Sequence, residues 1–260
     1  MGALGQMVDP ATWGHMLMTG WNEMGTTTFW VALLKIMWIN VLLSGDNAVV
    51  IAMACRGLPH RQRMWGMILG SGVAVVLRII FTGIVASLML LPFLKIVGGL
   101  ALFYIAAKLL VPEDPDDDEA EATEHLWRAV KIVAIADIIM SLDNVIAIAA
   151  AAGGNFALLV IGLGISIPII VGFAALIMQL LDKWPILVWA GAALLGWIVG
   201  EVIATDPVIE GYLTPKMGAE GFHYFEMFCA LFGAILVLVV GGYWRQKKLS
   251  GRAENAQAAE

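Results

Sequence analysis

Apolar runs of membrane-spanning length dominate this sequence and restrict it to very few folds. A helix needs roughly 20 mostly apolar residues to cross a bilayer, where every backbone polar group must be satisfied internally. The chain is 60% hydrophobic and 14% charged, whereas a soluble domain carries about 25% charged residues. The sequence therefore predicts an all-α membrane protein with seven transmembrane helices, at about 29–54, 66–90, 92–111, 127–151, 156–181, 185–204 and 222–243.

The distribution of basic residues predicts the orientation of the chain, because cytoplasmic loops are enriched in Lys and Arg. One side of the membrane holds almost all of them, so we expect the N-terminus outside and the C-terminus in the cytoplasm. Residues 1–28 contain tryptophans and predict an interfacial segment before the first span. Eight of the 21 acidic residues lie at positions 113–124, which predicts an acidic, solvated cytoplasmic linker over 112–126. Residues 245–260 are expected to form a cytoplasmic tail.

The sequence also contains a duplication that is three spans long. Residues 30–57 align with residues 127–154 without a gap, and the third and sixth spans resemble each other. An odd number of spans turns the second copy upside down in the bilayer, as in many secondary transporters. We therefore predict two inverted three-helix repeats, at 29–111 and 127–205, plus one extra C-terminal helix at 222–244. The polar positions paired by the alignment are Asn40 with Asp137, Ser44 with Ser141, Asp46 with Asp143, and Asn47 with Asn144.

Acidic side chains inside spans are costly and indicate a functional site by default. For Glu201, near a span end, a purely structural role remains equally open. The Ser-x-Asp-Asn insert occurs twice at equivalent positions, which favours function for its aspartates. Carboxylate, amide and hydroxyl oxygens suit hard cations such as Mg²⁺, Ca²⁺ or Mn²⁺. The predicted metal-binding residues are Asp46, Asn47, Asp137, Asp143 and Asn144, with Asn40, Ser44, Ser141, Arg78 and Glu201 as accessory residues.

The helical period makes a prediction about the backbone of both inserts. On continuous helices, Asp46 and Asp143 would lie roughly 100–120° from the polar stripes of their own helices. We expect each helix to be interrupted at Ser-x-Asp, with Gly45 easing the first break; a wide cavity lined by polar faces is the alternative. At about 1.5 Å per residue, Asn40 and Asp137 fall near mid-bilayer, and Asp46 and Asp143 lie roughly 9 Å to opposite sides.

Arg78 stands deep inside the second predicted span. It is either a counter-charge that pairs with a carboxylate when the cation is absent, or half of a permanent salt bridge.

An intramembrane aspartyl protease would also need two aspartates on different spans, but its Gly-x-Gly-Asp motif is absent from the sequence. A phosphate-binding loop is absent too, so transport driven by the chain's own ATP hydrolysis is not expected. We predict that the protein is not an enzyme.

The two inserts, "NVLLSGDNAVVIAMA" and "ADIIMSLDNVIAIAA", resemble those of the TerC family of integral membrane proteins, in its YjbE-like bacterial branch. The family is named after tellurium resistance, but its members look like exporters of divalent metal, chiefly manganese. The resemblance implies a bacterial inner membrane protein in which Asp46 with Asn47, and Asp137 with Asp143 and Asn144, are functional. Many relatives carry an acid where this chain has Asn40.

Together these features predict a secondary transporter that exports a divalent cation, Mn²⁺ above others, in exchange for protons. The expected partners are that ion, protons and the lipid bilayer, with no nucleic acid and no permanently bound cofactor; a homo-oligomer stays open. The alternative is a membrane metal-binding protein without transport activity, which delivers metal to partner proteins or supports tellurium resistance.

Overall fold

The structure, a computed structural model, describes residues 25–88, 91–112, 119–152 and 155–258, and is entirely helical there. Side chains at 82–88, 119–122, 142–143, 146, 149–150, 156 and 252–258 are not described. Most of the predicted interfacial segment and half of the acidic linker also lie outside the described residues. The helices are α1 (Thr27–Leu42), α2 (Gly45–Cys55), α3 (His60–Leu88), α4 (Leu94–Leu109), α5 (Glu119–Ala152), α6 (Phe156–Lys183), α7 (Ile186–Ala204) and α8 (Pro207–Ala258).

Four of these helices are long and apolar enough to cross a membrane, namely α3, α6, α7 and α8. The bent pair α1 and α2 makes a fifth if the two helices form one span. Large apolar side chains such as Trp38, Phe228 and Phe232 are exposed on the outer surface of the helix bundle, as expected for surfaces in contact with lipid. The protein is therefore a multi-pass membrane protein. Helix α4, with 16 residues, is shorter than the roughly 20 residues of a full span, and seven spans remain a prediction.

The two inserts differ in their backbone. The first is interrupted at Leu43 and Ser44, and α2 turns away from α1 by 53°, which confirms the predicted break. The break predicted for the second insert is wrong, because α5 runs without interruption through Ser141 and Asn144. The position of Gly45 is taken by Leu142 in the second insert. Leucine is a strong helix former and glycine costs about 1 kcal/mol in a helix, so only the first insert favours a break.

The helices of the two predicted repeats pack across each other. Helix α3 packs against α5, α6 packs against both α1 and α2, and α4 packs against α7. Two aligned glycines on the third helices allow further close approaches. A Cβ on Gly98 of α4 would lie 3.2 Å from Ile139 of α5, and one on Gly191 of α7 would lie 2.7 Å from the sulfur of Met53 of α2. The middle and the third helix of each predicted repeat therefore contact the first helix of the other.

Helices α7 and α8 touch through their backbones. A Cβ on Gly196 would lie 2.6 Å from the carbonyl oxygen of Gly233, and one on Gly200 would overlap the carbonyl oxygen of Cys229. Small residues of this kind permit close packing of membrane helices. Helix α8 is thereby attached to the last helix of the second predicted repeat.

Helical structure extends beyond the predicted spans in three places. Helix α8 begins at Pro207 and is interrupted only at Gly218, whose φ of 72° is favourable for glycine alone, so the segment between the sixth and seventh predicted spans is largely helical. The same helix continues to Ala258 through the predicted tail, and α5 begins at Glu119 within the predicted linker. Polar sequences outside a bilayer can extend a helix because the helix satisfies its own backbone hydrogen bonds.

Asp206, which lies between the sixth and seventh predicted spans, connects two helix starts. It is fully buried, and its Oδ1 accepts the N–H groups of Phe93 (3.2 Å) and Val208 (3.0 Å), while Oδ2 accepts that of Ile96 at 3.3 Å. It therefore caps both α4 and α8.

We expect Asp206→Ala to lower the free energy of unfolding by about 2 kcal/mol, since a lost cap costs about 0.5–2 kcal/mol and this residue serves two helices. Thermal unfolding in detergent measures the change. Glu210→Ala, which removes an exposed acid from the first turn of α8, is the control. A cap role is contradicted if both variants unfold at the same temperature.

Candidate cation site

A buried polar cluster joins α1, α3 and α5 around Arg78, which is only 3% exposed. Its Nη1 donates to Oδ1 of Asn40 at 2.6 Å. Its Nη2 donates to Oδ1 of Asp137 and to the hydroxyl oxygen of Ser141, the latter at 2.6 Å. The hydroxyl of Ser44 lies 3.5 Å from Oδ1 of Asn40. Arg78 therefore pairs with a carboxylate, as both readings of this residue require.

Helical spacing produces this cluster from the two aligned sequences. Asp137 and Ser141 are one turn apart on α5 and share a face of that helix, while Asn40 lies in the last turn of α1 and Ser44 follows it in the break. These are the positions that the duplication aligns. Among the residues that the structure describes, Oδ2 of Asp137 and Nδ2 of Asn40 are buried and have no hydrogen-bond partner. The centre is thus compensated in charge but incomplete in hydrogen bonding.

A cavity of about 380 Å³ contains most of the other predicted residues. Asp46, Asn144 and Glu201 line it. Asp46 lies in the first turn of α2 and accepts the N–H of Asn47 at 2.8 Å, a place where a negative charge is stabilised by the helix dipole. Asn144 donates to the carbonyl oxygen of Leu43 at 3.3 Å, within the break. The second insert thus contacts the interruption of the first.

Glu226 also lines this cavity, and sequence reasoning did not select it. It lies on α8 inside the predicted seventh span, so the rule used for Asp46, an acid within an apolar run, would have identified it. Thr205 and Met140 line the cavity as well. Glu201 accepts the indole N–H of Trp197 at 2.6 Å. Three carboxylates, from α2, α7 and α8, therefore face one space.

The predicted metal-binding residues do not form one coordination shell among the described side chains. Asp137 contacts Arg78, whereas Asp46 and Asn144 line the cavity. Asn47 is buried, and both atoms of its amide lack a hydrogen-bond partner. The side chain of Asp143 lies outside the described residues. Within that described part, no three His, Cys, Asp or Glu residues are close enough together to hold a metal ion. The oxygens are of the type that hard cations prefer, but they are divided between the cluster and the cavity.

Comparison with known proteins gives a consistent family. The profile described as "Integral membrane protein TerC family" matches residues 25–249. The chain is 46% identical over 176 residues to the uncharacterized membrane protein YjbE of Bacillus subtilis, covering 68% of this chain and 80% of YjbE. It is 26% identical over 227 residues to the uncharacterized membrane protein YceF of the same organism, covering 84% and 82% of the two chains. A UPF0053 protein of Haemophilus influenzae is 25% identical over 212 residues, covering 73% and 89%. No solved structure matches.

Proposed function

We propose, from the premise that this chain belongs to the integral membrane protein TerC family, that it is a secondary transporter exporting a divalent cation. The proposed cargo is Mn²⁺ and the exchanged ions are protons. One observation carries the proposal: oxygen atoms from equivalent positions of two sequence repeats converge in the buried interior of a multi-pass membrane protein. A cavity with three carboxylates lies beside them. Hard oxygen donors of this kind favour Mn²⁺, Mg²⁺ and Ca²⁺.

The proposed architecture has seven spans, with inverted repeats at 29–111 and 127–205 and the seventh span at 222–244. Support comes from the duplicated sequence and from the crossed packing of α3 on α5 and of α6 on α1 and α2. The basic loops favour an orientation with the C-terminus in the bacterial cytoplasm and the N-terminus outside the inner membrane. In such a carrier the repeats rock around sites at their interface.

The driving force follows from electrostatics. Exporting a divalent cation against an inside-negative potential of 100 mV costs about 4.6 kcal/mol, at about 2.3 kcal/mol per charge. Export therefore needs an energy source, and the inward movement of protons supplies one. A carboxylate binds a metal only when it is deprotonated, so it can hold either ion in turn. Asp46, Glu201 and Glu226 face the cavity and are the proposed exchange groups.

Asp46→Asn tests this proposal. The substitution keeps the size of the side chain and its hydrogen bond to Asn47 but removes the charge. We expect proton-coupled Mn²⁺ transport in proteoliposomes to fall at least about tenfold, which corresponds to about 1.4 kcal/mol. The measurement is Mn²⁺ flux with and without a pH gradient, alongside Mg²⁺, Ca²⁺ and Zn²⁺.

Glu220→Gln is the matched control, because Glu220 is an exposed acid on α8 that does not line the cavity. It should transport as the wild type does. Undiminished flux through Asp46→Asn would refute the proposed role of the cavity. Binding of Mn²⁺ by the wild type without any flux would instead identify a metal-binding protein without transport activity.

A further inference from the structure

We propose that Arg78 is a tethered substitute for the cargo: its guanidinium occupies the central cation site of the empty carrier, and the transported ion and Arg78 exclude each other. This inference rests on the proposed function and specifies how the same site is regulated. It assigns Arg78 a role in releasing the ion, beyond holding helices together.

The first argument is the convergence of oxygen atoms. Three oxygens, from Asn40, Asp137 and Ser141, point at the guanidinium. They come from two helices, α1 and α5, that the duplication aligns. These are the amide, carboxylate and hydroxyl oxygens that a hard divalent cation takes as ligands. Arg78 therefore lies at the point where such an ion would be coordinated.

The second argument is the incomplete satisfaction of the cluster. A permanent buried ion pair is tolerated when further hydrogen bonds satisfy its remaining polar atoms. Here Oδ2 of Asp137 and Nδ2 of Asn40 are buried without a hydrogen-bond partner, and each such atom costs about 1–3 kcal/mol. The unused carboxylate oxygen is an additional ligand that becomes available when an ion replaces the guanidinium.

The third argument is space. The cavity bordered by Arg78, Asp137 and Ser141 has a volume of only about 10 Å³, which is roughly the space of one water molecule. A divalent cation with its shell of water does not fit there, and the oxygens that could replace that shell already hold the guanidinium. Binding of the ion and displacement of Arg78 are therefore one event.

Arg78 has a basic counterpart in neither the middle nor the first turns of the equivalent helix of the other predicted repeat. Helix α6, which corresponds to α3, has no basic residue before Lys183 at its end. The charge of Arg78 balances that of Asp137 in the empty centre, so the carrier can change conformation without leaving this buried carboxylate uncompensated. When the ion is present, repulsion from Arg78 favours its release.

The test measures Mn²⁺ affinity of the purified full-length protein by titration calorimetry. Arg78→Gln removes the competing charge and is expected to bind Mn²⁺ about tenfold more tightly or better, while flux falls because release is slower. Arg78→Lys keeps a positive charge and the ion pair but loses the planar fork that contacts three oxygens at once. Arg78→Lys keeps the test valid if Arg78→Gln fails to fold, and we expect it to bind Mn²⁺ severalfold more tightly than the wild type.

Arg63→Gln is the control. Arg63 also pairs with an aspartate, but at an exposed site, where its Nη1 lies 2.6 Å from Oδ2 of Asp182. Its Mn²⁺ affinity should equal that of the wild type. Lower thermal stability of the Arg78 variants with unchanged or weaker Mn²⁺ binding would overturn the inference and leave the carrier proposal intact. A wild type that neither binds nor transports Mn²⁺ would overturn both.

Discussion

Replacing Asp137 with asparagine will lower the free energy of unfolding by about 3–5 kcal/mol, because it leaves the buried charge of Arg78 without its carboxylate partner. Both side chains are almost fully buried, with 3% and 6% of their surfaces exposed. Asparagine retains an oxygen that can accept one hydrogen bond, but it supplies no negative charge. Denaturant or thermal unfolding of the purified protein in detergent micelles measures the difference.

Asp182→Asn is the matched control for this prediction. It removes the same group from another arginine–aspartate pair, Arg63 with Asp182, whose side chains are 24% and 44% exposed. Exposed pairs contribute about 0–1 kcal/mol, so this variant should remain close to the wild type. Comparable destabilisation by the two substitutions would show that burial does not make the Arg78 pair special.

The second large effect is expected from Gly200→Ala, which should cost about 2–3 kcal/mol. Its Cβ would overlap the carbonyl oxygen of Cys229 on α8. A backbone atom cannot rotate away as a side chain can, so α7 and α8 would have to separate along their contact. The same unfolding measurement in detergent applies.

Gly72→Ala separates this steric effect from helix propensity. Gly72 also lies inside a helix, α3, but a Cβ there meets no atom within 4 Å. Alanine is favoured over glycine in helices by up to about 1 kcal/mol, so this variant should be equal to the wild type or more stable. If Gly200→Ala is equally well tolerated, the contact between α7 and α8 is looser than described.

The helices could be predicted from sequence because, in lipid, the backbone polar groups must be hydrogen-bonded within the protein. Apolar runs located the helical segments, and Gly45 indicated where the first insert would break. The matching break in the second insert was wrong because a periodicity argument weighs polar residues, while local backbone preference at Leu142 decided the outcome. The ends of α5 and α8 could not be predicted, since outside the bilayer a polar segment is free to remain helical or not.

The candidate site was predictable in its parts and unpredictable in its arrangement. Aligned positions indicated that Asn40 and Asp137 belong together, and the structure places both on Arg78. Which carboxylate Arg78 would contact depends on how α3 packs against α5, and no local pattern encodes that. Glu226 was overlooked because it stands outside the duplicated region, although α8 brings it to the cavity.

The elbow between α1 and α2 has no counterpart in α5. In a carrier with two identical inverted halves, the inward-open and outward-open forms are related by a two-fold rotation and have equal free energies. A helix break in one half alone removes that equality, because the two halves then resist bending to different degrees. In the proposed carrier the empty protein then rests preferentially on one side of its cycle, and the difference between Gly45 and Leu142 contributes to this bias before any ion gradient acts.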